Sequence, residues 1–335
     1  MMASLRSHRT PAAAALLLVA AAGCSTSPDR ILDLDAEGTA FVFLFRDDNL
    51  NMVFNNTVDV VLTGVQVDLR LSNAINTRPG GVTDSLGLRV FRVAAGRYVA
   101  EVSPDILGDS LVITAGTNPF TVPANDSTLV QVALAFKTIT ITEARALPLG
   151  RAAWVRGIVM NPPGVFGDST VHIVDDSAAI RTTHVRPGLP LLPGDSALLL
   201  GRRTTRDGQP TIELLVVPVV QGLVAAPPPD SISTATASTA NGGALDARFA
   251  KVAAATVSDT ATVDGAFTLT VNDGTGDLTV VFSPIVNFGN PNQYAPAVVL
   301  DIQGLLVPNP LDPTEFVLKP RQRPDITIRP VPPTT

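Results

Sequence analysis

Two histidines in the body of the chain, His172 and His184, stand close to Asp175, Asp176 and several serines, the residue types of a Ser-His-Asp nucleophilic set. The supporting parts of such a set are absent from the sequence, which has no Gly-x-Ser-x-Gly elbow, no His-Glu-x-x-His and no glycine-rich phosphate loop. His172 also lies inside an alternating stretch that reads as a strand. No catalytic residue is therefore expected, and the chain reads as a non-enzyme. Oxygen ligands for calcium, which wants about six or more, are offered by Asp175-Asp176-Ser177 and by Asn272-Asp273-Gly274-Thr275-Gly276-Asp277. Their spacing falls short of an EF-hand loop, whereas Asp, Asn and Gly are the residues a tight hairpin uses. They read as turns, with no metal and no cofactor implied. The remaining chemistry is stacking with charge: Trp154 and Arg156 share one face of a strand, opposite Val155, Gly157 and Val159, and Arg181, Arg186, Arg202, Arg203 and Arg206 follow. An exposed ring flanked by cations can hold bases or sugars, so Trp154, Arg156, Arg202 and Arg203 are the candidate ligand-binding residues. The competing expectation is that Trp154 caps the end of a barrel while the arginines solvate a surface.

The elements that must position these groups are strands. Apolar residues make up 45% of the 335-residue chain while aromatics are only 5%, and Val, Ala, Leu and Thr supply the bulk, as in sheets packed by small and branched side chains. Beyond residues 12–22 no long stretch repeats apolar residues at three- and four-residue spacing, so helices should be few and short. Phe41–Phe45, Val58–Leu62 and Val65–Leu71 read as strands, the last with Val65, Val67, Leu69 and Leu71 facing a core and Asp68 and Arg70 facing water.

At the N-terminus Arg6, His8 and Arg9 precede an eleven-residue apolar run, Ala12 to Ala22, followed by Gly23 and Cys24. This is the plan of an export signal, and the run is shorter than the ~20 residues a bilayer span needs. Ala21-Ala22-Gly23-Cys24 resembles the lipobox of bacterial lipoproteins, with Ala21 where the consensus carries Leu. The resemblance implies a signal peptide at 1–23, acylation of Cys24 and a tether over 24–32. Ser25 implies sorting to the bacterial outer membrane, on its periplasmic or exposed side. Cys24 is the sole cysteine, so no disulfide forms within the chain. Loss of 1–23 removes Arg6 and Arg9, leaving 22 basic against 30 acidic residues, a net charge of −8. Residues 137–222 carry nine basic against seven acidic residues, +2, so the rest of the mature chain is −10. An acidic surface repels polyanions, and any polyanion site belongs on that one unit.

Three folded units are expected. In residues 33–136, the run from Thr83 to Val99, with Thr83-Asp84, Gly87, an alternating strand and Gly96-Arg97-Tyr98, resembles the carboxypeptidase regulatory-like, transthyretin-like β-sandwich. That resemblance implies a spacer or adhesive module, with Gly87 and Gly96 in turns needing positive φ and the Tyr98 hydroxyl tied to backbone. Residues 137–224 and 232–329, joined by a proline-rich linker at 225–231, look like two copies of one unit. Both run strand, strand, Asp-rich turn, strand, strand, Gly: Val155-x-Gly157-x-Val159, Val174-Asp175-Asp176 and Gly194-Asp195 to Gly201 in one, Asn272–Gly276 and Gly304 in the other. This order resembles the OB-fold, a five-stranded barrel. Residues 330–335 are too poor in apolar side chains to fold. The fold class is thus all-β, a transthyretin/Ig-like β-sandwich followed by two OB-like barrels. The expected function is non-enzymatic binding or scaffolding at the envelope, with the membrane and envelope proteins as partners. The alternatives are single-stranded nucleic acid or oligosaccharide binding through the first OB-like unit, and a hydrolase or hydrolase-accessory role.

Overall fold

Branched residues alternating with polar ones do build an all-β chain in the computed structural model, which describes residues 36–74, 78–103, 110–183, 185 and 189–330. The leader, Cys24, the tether, His184, Arg186 and residues 331–335 lie outside the described residues. Among the described residues nine strands form the first unit: β1 (Glu37–Arg46), β2 (Val60–Val61), β3 (Gln66–Leu71), β4 (Arg78–Val82), β5 (Leu88–Ala94), β6 (Gly96–Val102), β7 (Leu111–Ala115), β8 (Phe120–Val122) and β9 (Ser127–Phe136). One sheet runs β2-β1-β9-β7 with β5 also paired to β1, and the other runs β4-β3-β6-β8. Ala40, Val42 and Leu44 of β1 meet Val67, Leu69, Tyr98 and Val132 between the sheets. Tyr98 is fully buried and its hydroxyl donates to the Ala94 carbonyl at 2.8 Å, which satisfies the one polar atom the ring brings inside. Gly87 turns with φ +73 as expected. Gly96 does not: its φ lies outside the left-handed region. A Cβ there would sit 3.4 Å from the Tyr98 ring, an ordinary contact.

The second unit comprises β10 (Thr138–Ile139), α1 (Ile141–Ala146), β11 (Ala152–Val159), β12 (Val171–Val174), β13 (Ala179–Thr183), β14 (Asp195–Arg206), β15 (Gln209–Leu214) and β16 (Val219–Leu223). The third repeats it with β17 (Asp230–Ser231), α2 (Thr234–Thr239), β18 (Phe249–Val263), β19 (Ala266–Asn272), β20 (Asp277–Val281), β21 (Val299–Asn309), β22 (Asp312–Lys319) and β23 (Ile326–Ile328). In the second unit the sheet runs β11-β12-β13-β15-β14 and closes by β11 pairing β14, with β13 and β15 parallel. The third runs β18-β19-β20-β22-β21 and closes the same way. That strand order is the OB barrel. Asp230 and Ser231, placed by the sequence in the linker, pair in parallel with β18, because the third unit repeats the leading strand that β10 gives the second.

Both Asp-rich turns have a structural duty. Asp175 reaches back to accept from the Ile141 amide at 2.8 Å, holding the first turn of α1. Its counterpart Asp273 accepts from the Thr234 amide at 3.1 Å and the Thr234 hydroxyl at 2.7 Å at the start of α2. Burial works against ionisation of Asp273, yet these bonds and those from Thr275 outweigh it and lower its pKa from 3.8 to about 2. A carboxyl depressed on folding stabilises above its unfolded pKa and loses that contribution as pH falls toward the folded value. Asp273→Ala is therefore expected to cost about 1 kcal/mol at pH 7. In urea titrations its gap to wild type should narrow between about pH 4 and pH 2; a constant gap would show that the carboxylate is not what holds α2.

Candidate functional site

The outer face of β12 and β13, the strands through which an OB barrel presents ligands, is covered by the third unit. Met160, Val174 and Ala179 pack on Ala247, Phe249 and Leu305. The Arg321 guanidinium lies 3.8 Å over the Phe249 ring and donates to the Met160 carbonyl at 2.8 Å. Arg145, at the end of α1, donates to the carbonyls of Ala179 and Gly243.

The four sequence-predicted residues lie in four different settings. Trp154 is fully buried among Leu198 and Leu200, with Leu50 and Phe136 of the first unit against it. No ring is offered for stacking there: alternation put Trp154 on the strand's outward face, and the first unit covers that face. Arg203 turns its Nε onto the Arg145 carbonyl, and Arg202 pairs with Glu213 at 2.8 Å. Arg156 borders a hollow of about 620 Å³ that also holds Glu143, Asp175 and Asp176, a setting unfavourable to a polyanion. The four do not make one aromatic and cationic face.

Other side chains do converge. At the edge of the junction a cleft of about 200 Å³ is lined by His172, Arg181, Arg206 and Lys319, with Asp168 and Asp207 among the neighbours. His172 and Arg181 come from facing positions of β12 and β13 and are 1% and 4% exposed. Lys319 ends β22 of the third barrel, and its pKa is lowered mainly by burial. Arg206, Asp168 and Asp207 are exposed at the mouth, where Arg206 lies 3.6 Å from Asp168 and 3.7 Å from Asp207.

The tautomer of His172 follows from its partner. The Asn161 Nδ2 donates to the Pro162 and Thr170 carbonyls, so its Oδ1 is the acceptor. That oxygen accepts from the His172 amide at 2.8 Å and contacts His172 Nδ1 at 2.9 Å. Nδ1 therefore carries the hydrogen, and Nε2 is a bare lone pair. Among the described residues Nε2 has no hydrogen-bond partner, and Arg181 Nε makes no hydrogen bond either; Asp246 Oδ2 lies 4.0 Å from it. Burial, then the charges of Arg181, Lys319 and Arg206, hold the imidazole pKa well below 6.5. Asp246, fully buried between Arg181 and Arg145, has its pKa raised to about 6 because burial outweighs both guanidiniums. The histidine's ring partner is thus the Asn161 amide, while Asp175 and Asp176, its neighbours in sequence, belong to the turn that holds α1.

Arg181 and Arg206 stand out in the sequence as cations near His172. Lys319 could not: it is 147 residues further on, and only the docking of one barrel on the other brings it in. The one readable signal is duplication, which warns that two barrels have faces to bury against each other.

Fold and cleft together define the class of protein, an all-β chain in which a β-sandwich precedes two OB barrels fused side by side. No protein-family model matches the chain, and comparison with curated proteins gives no match. Among solved structures it is similar to the S. pombe Stn1–Ten1 complex, at 17% identity and TM-score 0.21 over 25% of this chain and 75% of that chain. It is also similar to the hypothetical protein YgiW from E. coli, at 18% identity and TM-score 0.22 over 25% and 89%. A murine DNA-binding protein bound with double-stranded DNA is similar at 9% identity and TM-score 0.29 over 52% and 97%. Scores this low indicate nothing about ligands, and the OB assignment stands on strand order.

Proposed function

We propose that the chain is a lipid-anchored protein of the bacterial outer membrane, tethered by Cys24, that works without catalysis as a binding module for an anionic ligand held between its two OB barrels. The observation that carries the binding half is His172 Nε2, a buried lone pair with no hydrogen-bond partner among the described residues, lining the cleft; Arg181 Nε, also without a hydrogen bond, faces the buried Asp246 carboxylate. Folded proteins pair nearly all buried polar atoms, so an unmatched one lining a cleft calls for a ligand. Three cations, Arg181, Arg206 and Lys319, against two carboxylates, Asp168 and Asp207, set the sign. The fused barrels supply rigidity, since β12 and β13 reach the cleft from within a closed sheet.

The anchoring half rests on the run from Arg6 to Cys24. Acylation by two or more chains gives stable attachment, where one would be marginal. Cys24→Ser is expected to abolish incorporation of radiolabelled palmitate and move the protein from the membrane pellet to the soluble fraction. Continued pelleting of an unlabelled variant would remove the anchor. Binding is tested separately, by titrating anions into the full chain in detergent micelles; no heat with any anion would remove the cleft.

A further inference from the structure

We propose that the cleft recognises a phosphate group that still carries a proton, accepting the phosphate P–OH at His172 Nε2 and donating to its charged oxygens from Arg181, Arg206 and Lys319. This rests on the reading of the cleft as an anion site and adds the ligand's chemistry.

The argument runs from the fixed tautomer. Asn161 leaves Nε2 of the neutral ring able only to accept, while the side-chain nitrogens of Arg181, Arg206 and Lys319 can only donate. Arg181 already donates to Asp207 at 3.3 Å and to the Arg206 carbonyl at 2.6 Å, and Arg206 to the Thr170 hydroxyl at 3.1 Å, so a ligand that meets their remaining hydrogens, Lys319 and Nε2 must bear charged acceptor oxygens and one hydroxyl donor together. Phosphate near neutral pH has both. Sulfate has acceptors alone and would set an oxygen lone pair against the Nε2 lone pair. A metal cation would suit Nε2 but meets three positive groups. Sites built to pair with a hydroxyl reject analogues lacking it, because a buried polar atom is then left unmatched. About 200 Å³ holds a phosphate; free phosphate keeps a P–OH at neutral pH, whereas a phosphomonoester, whose last proton leaves at about pH 6, has mostly lost it, so free phosphate is the source.

Sulfate can enter with the ring protonated, which ties its affinity to acid. The charged groups facing the ring are Arg181 of β13, Arg206 at the end of β14, Lys319 of β22 and the mouth carboxylates Asp168 and Asp207. Asp246 lies behind Arg181 and titrates near 6; its protonation releases positive charge toward either anion. The diagnostic quantity is therefore the ratio of the two affinities.

The test is calorimetric titration of the full chain in detergent micelles with inorganic phosphate, sulfate and glycerol 3-phosphate at pH 7.5 and 5.5. At pH 7.5 phosphate should bind about tenfold or more tightly than sulfate, and the ratio should shrink at pH 5.5. Lys319→Met should weaken phosphate by about tenfold. His172→Phe should bring phosphate down to the sulfate level, with Trp154 fluorescence checking that the variant folds. Glycerol 3-phosphate, mostly the dianion without a P–OH at pH 7.5, should bind no better than sulfate there and gain at pH 5.5, where the monoanion predominates; binding as tight as that of inorganic phosphate at pH 7.5 overturns the proposal. Equal affinities for phosphate and sulfate at pH 7.5 overturn it while leaving the anion cleft standing. Absence of binding by all three at about 10 mM overturns both.

Discussion

Trp154→Ala is expected to destabilise the protein by about 3–5 kcal/mol, the range for deleting a large buried aromatic side chain. Its ring packs with Leu198 and Leu200 of β14 and with Leu50 and Phe136 of the first unit, so truncation opens a void that two units border. Trp154→Phe should cost much less, under about 1.5 kcal/mol. The indole nitrogen is buried without a partner, and removing it relieves an unmatched donor while most of the ring contact stays. Trp154 is the sole tryptophan, so urea unfolding followed by fluorescence reports directly on this junction, with blue-shifted, quencher-resistant emission in the folded state. A role in stacking ligands requires the reverse, near-wild-type stability with lost binding. Alanine within about 1 kcal/mol of wild type would show that the first and second units do not close over the ring.

Gly304→Ala should be similarly damaging, about 3 kcal/mol or more. Gly304 lies opposite Ala250 where β21 closes the barrel on β18. An added Cβ would fall 2.6 Å from the Lys319 carbonyl oxygen, 2.7 Å from its carbonyl carbon and 2.8 Å from the Pro320 nitrogen. All three are backbone, so nothing rotates away, and the β21–β22 pairing must shift. Absent that contact, alanine would stabilise slightly by restricting the unfolded chain, so the sign of the change is itself diagnostic. Gly201 is the counterpart in the second barrel, opposite Ala153, where a Cβ would lie 2.2 Å from Ile212 Cγ2 and 2.8 Å from the Glu213 carbonyl oxygen. Displacing Lys319 also moves a cation of the cleft. Gly304→Ala should therefore weaken phosphate binding in whatever fraction folds, whereas Gly201→Ala, away from that strand end, loses stability with less effect on affinity. Chemical denaturation and calorimetry of both variants separate the two effects.

The all-β class and the paired OB units were legible because each is a local pattern, whereas Gly201 and Gly304, read as closing their fourth strands, lie inside β14 and β21, which run on to Arg206 and Asn309. Val65, Val67 and Leu69 are buried as their alternation predicts, and Asp175 and Asp273 sit in the hairpin turns their residue types favour. The duplication even survives a departure. The second barrel opens its fourth strand after Gly194 at φ +94, and the third does so with Ala297 at φ +73. Their amides donate to equivalent carbonyls, Val159 at 2.9 Å and Val257 at 2.8 Å. An alanine forced into that region is held there by the surrounding barrel.

What the sequence determined by itself, then, is every property set within a strand and its turn: period-two burial, hairpin chemistry, the repeated unit. Which outward faces meet water is a different matter, because alternation says only that Trp154 and Val155 point in opposite directions, and a neighbouring unit can cover either. Tertiary structure alone buried Trp154 beneath the first unit, turned Arg203 onto α1 and brought Lys319 across to His172. Those outcomes depend on packing between elements far apart in the chain, where long-range apolar contacts and buried charge outweigh any signal carried by spacing along it.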